Sequence, residues 1–243
     1  MQRIIYIIFP LFFVLITNVG ANGYKICVGR CPSTVTFFID KEAKKDLEKY
    51  KVTPRRLLKR IQYSFWKYNE LSIGYDFKNI LVEEWRHDRA ELYPVGDFAF
   101  ELLYLEQFEN KNLRKEMRER YLRDSSDITI FLSGNIILGS GLAQLQQGKE
   151  GHGYILIGTA YNELFTGFVD IGESRIKSNR RFYKFLNLDP LDRLAFVGAH
   201  EQVHLYGLNH SDNENSLMYS RTNSNFVLDP KQKIKLKNIL YKY

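Results

Sequence analysis

Residues 200–210, which read HEQVHLYGLNH, constrain this chain more than any other segment because their spacing suits the binding of one metal ion. His200 and His204 are four residues apart. On a helix they lie on one face, about 6 Å apart along the axis, where both imidazoles can reach the same ion. Gly207 can adopt a positive φ and end that helix, so that the chain turns and returns His210 as a third ligand. Three imidazoles leave one corner of a tetrahedral zinc site open, which distinguishes catalytic from structural zinc sites.

Glu201 lies between the first two histidines and places a carboxylate beside the same ion. In a helical H-E-x-x-H pattern the histidines bind zinc and the glutamate is the general base of a metalloprotease. We expect Glu201 to take a proton from the attacking water and to pass it to the leaving amine. The five-residue pattern alone also occurs as an ordinary charged helix face, but Gly207 and His210 make that coincidence rare.

A methionine follows this segment at a characteristic distance. Met218 lies eight residues beyond His210, within Leu217-Met218-Tyr219. The extended H-E-x-x-H-x-x-G-x-x-H pattern followed by a methionine turn resembles the metzincin zinc endopeptidases, and most closely their matrixin branch. Ser211 also fits that branch, because astacins usually have Glu there. Ser220, where matrixins usually have proline, departs from the pattern.

The resemblance implies a fold, a cofactor and a class of substrate. The cofactor is one catalytic zinc, and the substrate is a protein or peptide. Met218 forms a hydrophobic floor under the zinc histidines and is not a ligand, although an ordinary core methionine would look the same in the sequence. An edge strand near residues 153–158 pairs with the extended substrate through main-chain hydrogen bonds.

The first 21 residues have the pattern of a signal peptide. Arg3 supplies a positive start, residues 4–17 form an apolar run, and residues 19–21 (Val-Gly-Ala) suit cleavage. An uncleaved membrane anchor is the alternative, but the run is short for a spanning helix and contains Pro10. We therefore expect residues 22–243 to form one metzincin-like domain that is secreted, or periplasmic in a Gram-negative bacterium.

The two cysteines follow the expected cleavage site. In an oxidising compartment Cys27 and Cys31 most plausibly form a disulfide with each other. A latency cysteine that occupies the open zinc position is a weaker alternative, suggested by a faint likeness of residues 29–32 to a matrixin propeptide. A zinc site of the C-x-x-x-C type is weaker still, since no second pair completes it.

The net charge of the chain is +7, with 35 Lys and Arg against 28 Asp and Glu. A basic exterior could associate with anionic surfaces or glycans, or it could only keep the protein soluble. No nucleic-acid motif is apparent. We expect a monomer with a peptide or protein substrate and no nucleic-acid partner, which meets a membrane only through an uncleaved signal segment.

The periodicity of apolar residues predicts strands and helices in an α/β order. The resemblance implies that they form a metzincin-like catalytic domain (α+β): a twisted mixed sheet of about five strands, an active-site helix, a backing helix and a C-terminal helix. Capping residues place three of the helix starts, at Thr53-Pro54, Asp189-Pro190 and Asp229-Pro230. The predicted strands are residues 33–39, 73–77, 128–132, 153–158 and 166–171. The predicted helical segments are 41–50, 54–68, 82–123 (a charge-rich insertion), the segment after 189 and 230–240.

Other functional interpretations remain open at this stage. His87 and His152 could hold a structural zinc, although two solvated histidines are the simpler interpretation, and no calcium loop is recognisable. The chain could instead be a secreted binding or adhesion protein with a blocked cleft, or a zinc hydrolase of another bond. The intact Glu201 argues against a binding protein, which needs no general base.

Overall fold

The computed structural model describes residues 32–86, 111–137, 141–160, 184–185, 187–220 and 224–241. The fold is mixed α/β, as predicted. The strands are β1 (Val35–Ile39), β2 (Leu81–Glu84), β3 (Ile128–Ile137), β4 (Gly141–Leu145) and β5 (Gly153–Ala160), and the helices are α1 (Lys41–Lys49), α2 (Pro54–Asn69), α3 (Lys111–Arg123), α4 (Pro190–His204) and α5 (Pro230–Leu240). The signal peptide, Cys27, Cys31, His87 and the predicted strand 166–171 lie outside the described residues.

The five strands form one sheet in the order β2-β1-β3-β5-β4. β2, β1, β3 and β5 are mutually parallel, and β4 runs antiparallel to β5. Parallel strands are usually covered on both faces, and β1 and β5 accordingly consist almost entirely of buried residues. Because β4 is last in the strand order, it forms one edge of this sheet.

Two apolar clusters cover the two faces of the sheet. The larger cluster packs one face of β1, β3 and β5 against α1, α2, α4 and α5. The smaller cluster lies on the opposite face, where Met117 and Tyr121 of α3 join Trp85 and Phe131. The Trp85 and Phe131 rings lie edge to face, with centroids 4.9 Å apart. Because α2 packs directly on α4, the larger cluster fixes the helix that carries the metal motif.

The helix starts follow the predicted capping residues. Asp189 accepts a hydrogen bond from the Leu191 N–H at 2.9 Å, and Pro190 fills the first turn of α4. Thr53 caps α2 and Asp229 caps α5 in the same way. These three predictions are confirmed, and they set where the metal-motif helix begins.

Two strand predictions were wrong, and two strands of the sheet were not predicted. The alternating residues 73–77 form no strand, and Tyr75 makes only an isolated bridge with Ser33. The start of the segment 82–123, predicted to be helical, belongs to strand β2, because it pairs with β1. Strand β4 was not predicted either. The segment 153–158 is an internal strand rather than an edge, since β5 lies between β3 and β4. Residues 73–77 alternate because Ile73 and Tyr75 are buried in the larger cluster. The segment makes no continuous hydrogen-bonded pairing with another strand.

Among the described helices, none combines the length and the apolar character that crossing a bilayer requires.

Candidate metal centre

Helix α4 and the turn that follows it bring three histidines together. His200 and His204 lie one turn apart on α4, which ends at His204 with Leu205 as its C-cap. Gly207 has a φ of +71°, a conformation that side chains disfavour, and the chain then turns back to His210. The ring centroids are 5.0 Å apart for His200 and His204, 5.3 Å for His200 and His210, and 4.8 Å for His204 and His210.

Backbone carbonyls orient the two helical imidazoles. The Nδ1 atom of His200 is 2.7 Å from the Leu217 carbonyl oxygen, and Nδ1 of His204 is 2.7 Å from that of Leu208. Because a carbonyl can only accept, each Nδ1 bears the hydrogen and each Nε2 keeps a free lone pair. This is the arrangement that metal-binding histidines usually have, with the second nitrogen held by a backbone or carboxylate oxygen.

The spacing of the ligand atoms fits a single zinc ion. The Nε2 atoms of His204 and His210 are 3.3 Å apart. Zinc–nitrogen bonds of about 2.0–2.1 Å in a tetrahedron require a nitrogen separation of about 3.3–3.4 Å. All three ligand atoms lie within 4.8 Å of one another, so small ring rotations close the set around one ion. Within the described residues, this is the one group of three or more such side chains.

Burial keeps these imidazoles in the neutral form that binds metal. Desolvation lowers the pKa of His200 to about 3, despite its hydrogen bond to Leu217. Desolvation likewise lowers the pKa of His204 and of His210 below the ordinary histidine value. A metal competes with protons for the same lone pairs, so neutral rings favour its binding near neutral pH.

Glu201 is buried beside the histidines, with 6% of its surface exposed. Burial raises the pKa of the Glu201 carboxyl to about 8. A divalent cation at the histidines would stabilise the carboxylate and lower that pKa again. The same side chain therefore lies near the balance between holding and releasing a proton, which suits a general base.

Strand β4 passes over the Glu201 side chain at a glycine. A Cβ atom at position 141 would lie 2.4 Å from Oε1 of Glu201 and 2.6 Å from its Cγ. Such distances are far below van der Waals contact, so only glycine allows this approach. Gly141 was not predicted from the sequence, because a position that only requires the absence of a side chain has no recognisable sequence motif.

The methionine turn holds one of the carbonyls that orient the histidines. Met218 is fully buried in the larger cluster, and its carbonyl accepts a hydrogen bond from the Ser211 N–H at 2.7 Å. The neighbouring Leu217 N–H donates to the Val227 carbonyl at 2.6 Å, which fixes the Leu217 carbonyl that His200 contacts. The role of Met218 as a floor beneath the ligands stays a prediction.

Two further polar side chains support this region and were not predicted. Asn69, fully buried at the end of α2, donates to the Phe226 carbonyl at 2.8 Å and accepts from the Leu228 N–H at 2.7 Å. Tyr75 donates its hydroxyl hydrogen to Gln202 on α4. Neither pairing has a signal in the sequence, because each joins residues more than 100 positions apart.

His152 lies apart from the three histidines. Its Nδ1 is 3.2 Å from the Asp127 carboxylate, and both side chains are about one-third exposed. The alternative of a second zinc site shared with His87 stays untested, because His87 lies outside the described residues.

Comparison with known proteins found structural likeness only. No family model and no curated protein sequence matches the chain. A zinc-dependent peptidase from Methanocorpusculum labreanum (strain Z) is 17% identical, with a TM-score of 0.37, and the match covers 83% of this chain and 99% of that one. Metalloproteinase-II from Bacteroides fragilis is 13% identical, with a TM-score of 0.40 and coverage of 88% and 55%. Archaemetzincin from Methanopyrus kandleri is 12% identical, with a TM-score of 0.43 and coverage of 88% and 99%. At these scores the likenesses add nothing to the functional assignment, which depends on the site itself.

Proposed function

We propose that this chain is a zinc-dependent endopeptidase that hydrolyses peptide bonds. The observation that carries the proposal is the convergence of His200, His204 and His210, with two Nε2 atoms at tetrahedral spacing, next to the buried Glu201. Three protein ligands leave a coordination position for water or substrate, whereas a structural zinc site has four.

Each site residue has a defined task in this proposal. The three imidazoles would hold one zinc ion, which would supply a Lewis acid for a substrate carbonyl and lower the pKa of a bound water to about 7. Glu201 accepts the proton of the attacking water and returns it to the amine nitrogen as the peptide bond breaks. The Leu217 and Leu208 carbonyls keep the rings of His200 and His204 in the binding orientation throughout.

The substrate would lie along β4 rather than along β5. Within the described residues, β4 pairs on one side with β5 and has an open edge on the other. Gly141 at the start of β4 touches the Glu201 side chain, so a peptide that extends this edge passes close to the general base. Pairing through main-chain hydrogen bonds would add affinity that does not depend on substrate sequence.

The branch of the family and the location of the protein are part of the proposal. The methionine turn at Leu217-Met218-Tyr219 and Ser211 support a matrixin-like endopeptidase. The apolar run at residues 4–17 and the small residues before Asn22 support secretion.

Replacing Glu201 by alanine tests the proposal. The Glu201→Ala protein should keep one bound zinc, since all three imidazoles remain, and should lose cleavage of an unfolded protein such as casein by at least about 100-fold. Zinc content by mass spectrometry and cleavage by gel assay measure the two effects. Lys45→Ala on α1, far along the chain from the site, is the control and should leave both unchanged.

If the zinc-loaded wild-type protein cleaves neither casein nor any member of a peptide library, the endopeptidase assignment is wrong.

A further inference from the structure

The outward side of α2 consists only of basic and aromatic side chains. Six residues of the helix are exposed, and they define the α2 outer face: Arg55, Arg56, Lys59, Tyr63, Trp66 and Lys67. The opposite side of the helix is buried in the larger apolar cluster. α2 contains no Asp or Glu, so this face presents positive charge without a compensating acid on its own helix.

Two acidic side chains beside α2 pair with cations that do not belong to the α2 outer face. Asp192 of α4 pairs with Arg60, which is mostly buried at the flank of the helix. Glu70, just beyond the end of α2, lies 3.1 Å from the Nζ atom of Lys233. Lys233 belongs to α5, which contains four lysines and no acidic residue.

Helices α1 and α3 differ from α2 in their charge. α1 alternates lysines with Glu42, Asp46 and Glu48, and α3 carries Glu116 and Glu119 among its arginines. Mixed charge of this kind is what solubility requires. Basic charge without acidic residues is thus found on α2 and α5, and of these two helices only α2 also carries aromatic residues.

Two aromatic rings stand on this basic face. Trp66 is 63% exposed and Tyr63 is 41% exposed. Their ring centroids are 5.8 Å apart, and Nζ of Lys67 lies 5.5 Å from the centroid of the Tyr63 ring. Tryptophan and tyrosine are amphipathic, and both are enriched at the headgroup level of lipid bilayers. Clusters of lysine and arginine on a helix face are attracted to anionic lipids.

We propose that the α2 outer face docks on the surface of an anionic lipid bilayer, with the Trp66 and Tyr63 rings at the headgroup level. Each lysine or arginine near such a surface contributes a similar binding free energy, so the contributions of the four basic residues add up. The buried side of α2 stays packed on α4, which makes the contact peripheral. The exposed Trp66 and Tyr63 rings favour a bilayer over a soluble polyanion such as duplex DNA, which is bound mainly through its charged backbone. The membrane contact proposed here is additional to any made by the signal segment.

Tryptophan fluorescence tests the proposal directly. The chain contains two tryptophans, Trp66 and Trp85, and Trp85 is 1% exposed, so a change on binding reports mainly Trp66. We use the mature protein, which lacks the predicted signal peptide, with vesicles of phosphatidylcholine alone or mixed with phosphatidylserine. The mixed vesicles should shift the emission to the blue and bind the protein in sedimentation, and the neutral vesicles should do neither. Trp66→Phe should abolish the shift.

The position of the charges is tested with two matched double variants. Lys59→Gln with Lys67→Gln should weaken sedimentation with the mixed vesicles about tenfold or more. Lys41→Gln with Lys44→Gln removes the same charge from the mixed-charge α1, where both lysines are exposed, and should change sedimentation less than twofold. Circular dichroism checks that both variants are folded. Cleavage of a soluble peptide, measured on the same samples, should be equal in all of them. The membrane proposal and the peptidase proposal are therefore tested independently.

Three results would overturn the proposal. They are a failure to bind mixed vesicles at low salt, an equal loss of binding in both double variants, and binding to heparin or duplex DNA without binding to vesicles. The last result would identify the partner as a soluble polyanion.

Discussion

At the residue scale, the contact between Gly141 and Glu201 decides where the proposed general base lies. Gly141→Ala would force the carboxylate away, because the added Cβ would overlap Oε1 and Cγ of Glu201. We expect kcat to fall about 10- to 100-fold, since a displacement of about 1 Å can cost that much. The zinc content and KM should change little, because the histidines do not move. Steady-state kinetics and metal analysis measure these three quantities.

Gly74→Ala provides the matched control for that variant. A Cβ at position 74 would lie no closer than 3.5 Å to Pro32, an ordinary contact, and the φ of Gly74 is not in the left-handed region. This protein should retain full kcat. Full activity of Gly141→Ala would mean that Glu201 tolerates displacement, which contradicts its proposed role.

The metal motif was the part of the site most accessible from sequence, because its chemistry and its geometry are both local. His200, Glu201 and His204 lie on one helix, and the turn at Gly207 is short enough to return His210. Gly141 and Asn69 act through contacts with distant segments, and their residue types do not reveal such contacts. Motifs within about ten residues could be predicted, whereas the residues that position them could not.

At the element scale, Asn69 joins the end of α2 to the segment that follows the methionine turn. Its two hydrogen bonds to Phe226 and Leu228 are buried. Asn69→Ala would leave a buried carbonyl and a buried N–H without their partner, so the free energy of unfolding should fall by about 1–3 kcal/mol. Urea denaturation followed by circular dichroism measures the change.

Asn238→Ala is the control for that substitution. The Asn238 side chain is exposed on α5, so the free energy of unfolding should change by less than about 0.5 kcal/mol. Equal stability of the two variants would show that the 226–228 segment does not depend on Asn69.

The strand predictions succeeded where residue type and burial agreed. β1, β3 and β5 contain β-branched and aromatic residues, and each was predicted close to its observed position. β4 reads Gly-Leu-Ala-Gln-Leu and has neither kind of residue, and β2 is a short edge strand that ends in two glutamates. Both are held by pairing with a neighbouring strand, a tertiary effect that overrides local preference.

At the scale of the whole molecule, one ion would link α4 to the chain that follows it. The ligands lie on both sides of the turn at Gly207, so zinc binds the native arrangement and not the unfolded chain. With free zinc at about 100 times Kd, binding adds about 2.7 kcal/mol of stability. Chelation should therefore lower Tm by about 5–10 °C.

Differential scanning calorimetry with and without chelator, followed by zinc addition, checks this prediction. Restoration of Tm by zinc but not by magnesium would identify the ion as the cause, since magnesium prefers oxygen ligands. An unchanged Tm after complete removal of the metal would show that the ion has no part in holding the fold.

The fold class could be predicted from the sequence, but the order of the strands in the sheet could not. The order of strands and helices indicated a mixed α/β fold, and the structure has one. Strand order within the sheet depends on crossovers that sequence periodicity does not encode. The predicted substrate edge was therefore assigned to β5, although β4 covers β5 in the sheet. The second apolar cluster, with Trp85 and Phe131, likewise became apparent only in the fold.

X-ray absorption at the zinc edge of the zinc-loaded protein tests the central claim most directly. Three histidines and one open position predict a first shell of nitrogen and oxygen atoms at about 2.0–2.1 Å, with outer-shell scattering from three imidazoles. Replacing His210 by alanine should reduce that imidazole count to two or abolish zinc binding. A sulfur shell at about 2.3 Å, or a fourth protein ligand in the wild-type protein, would contradict the claim.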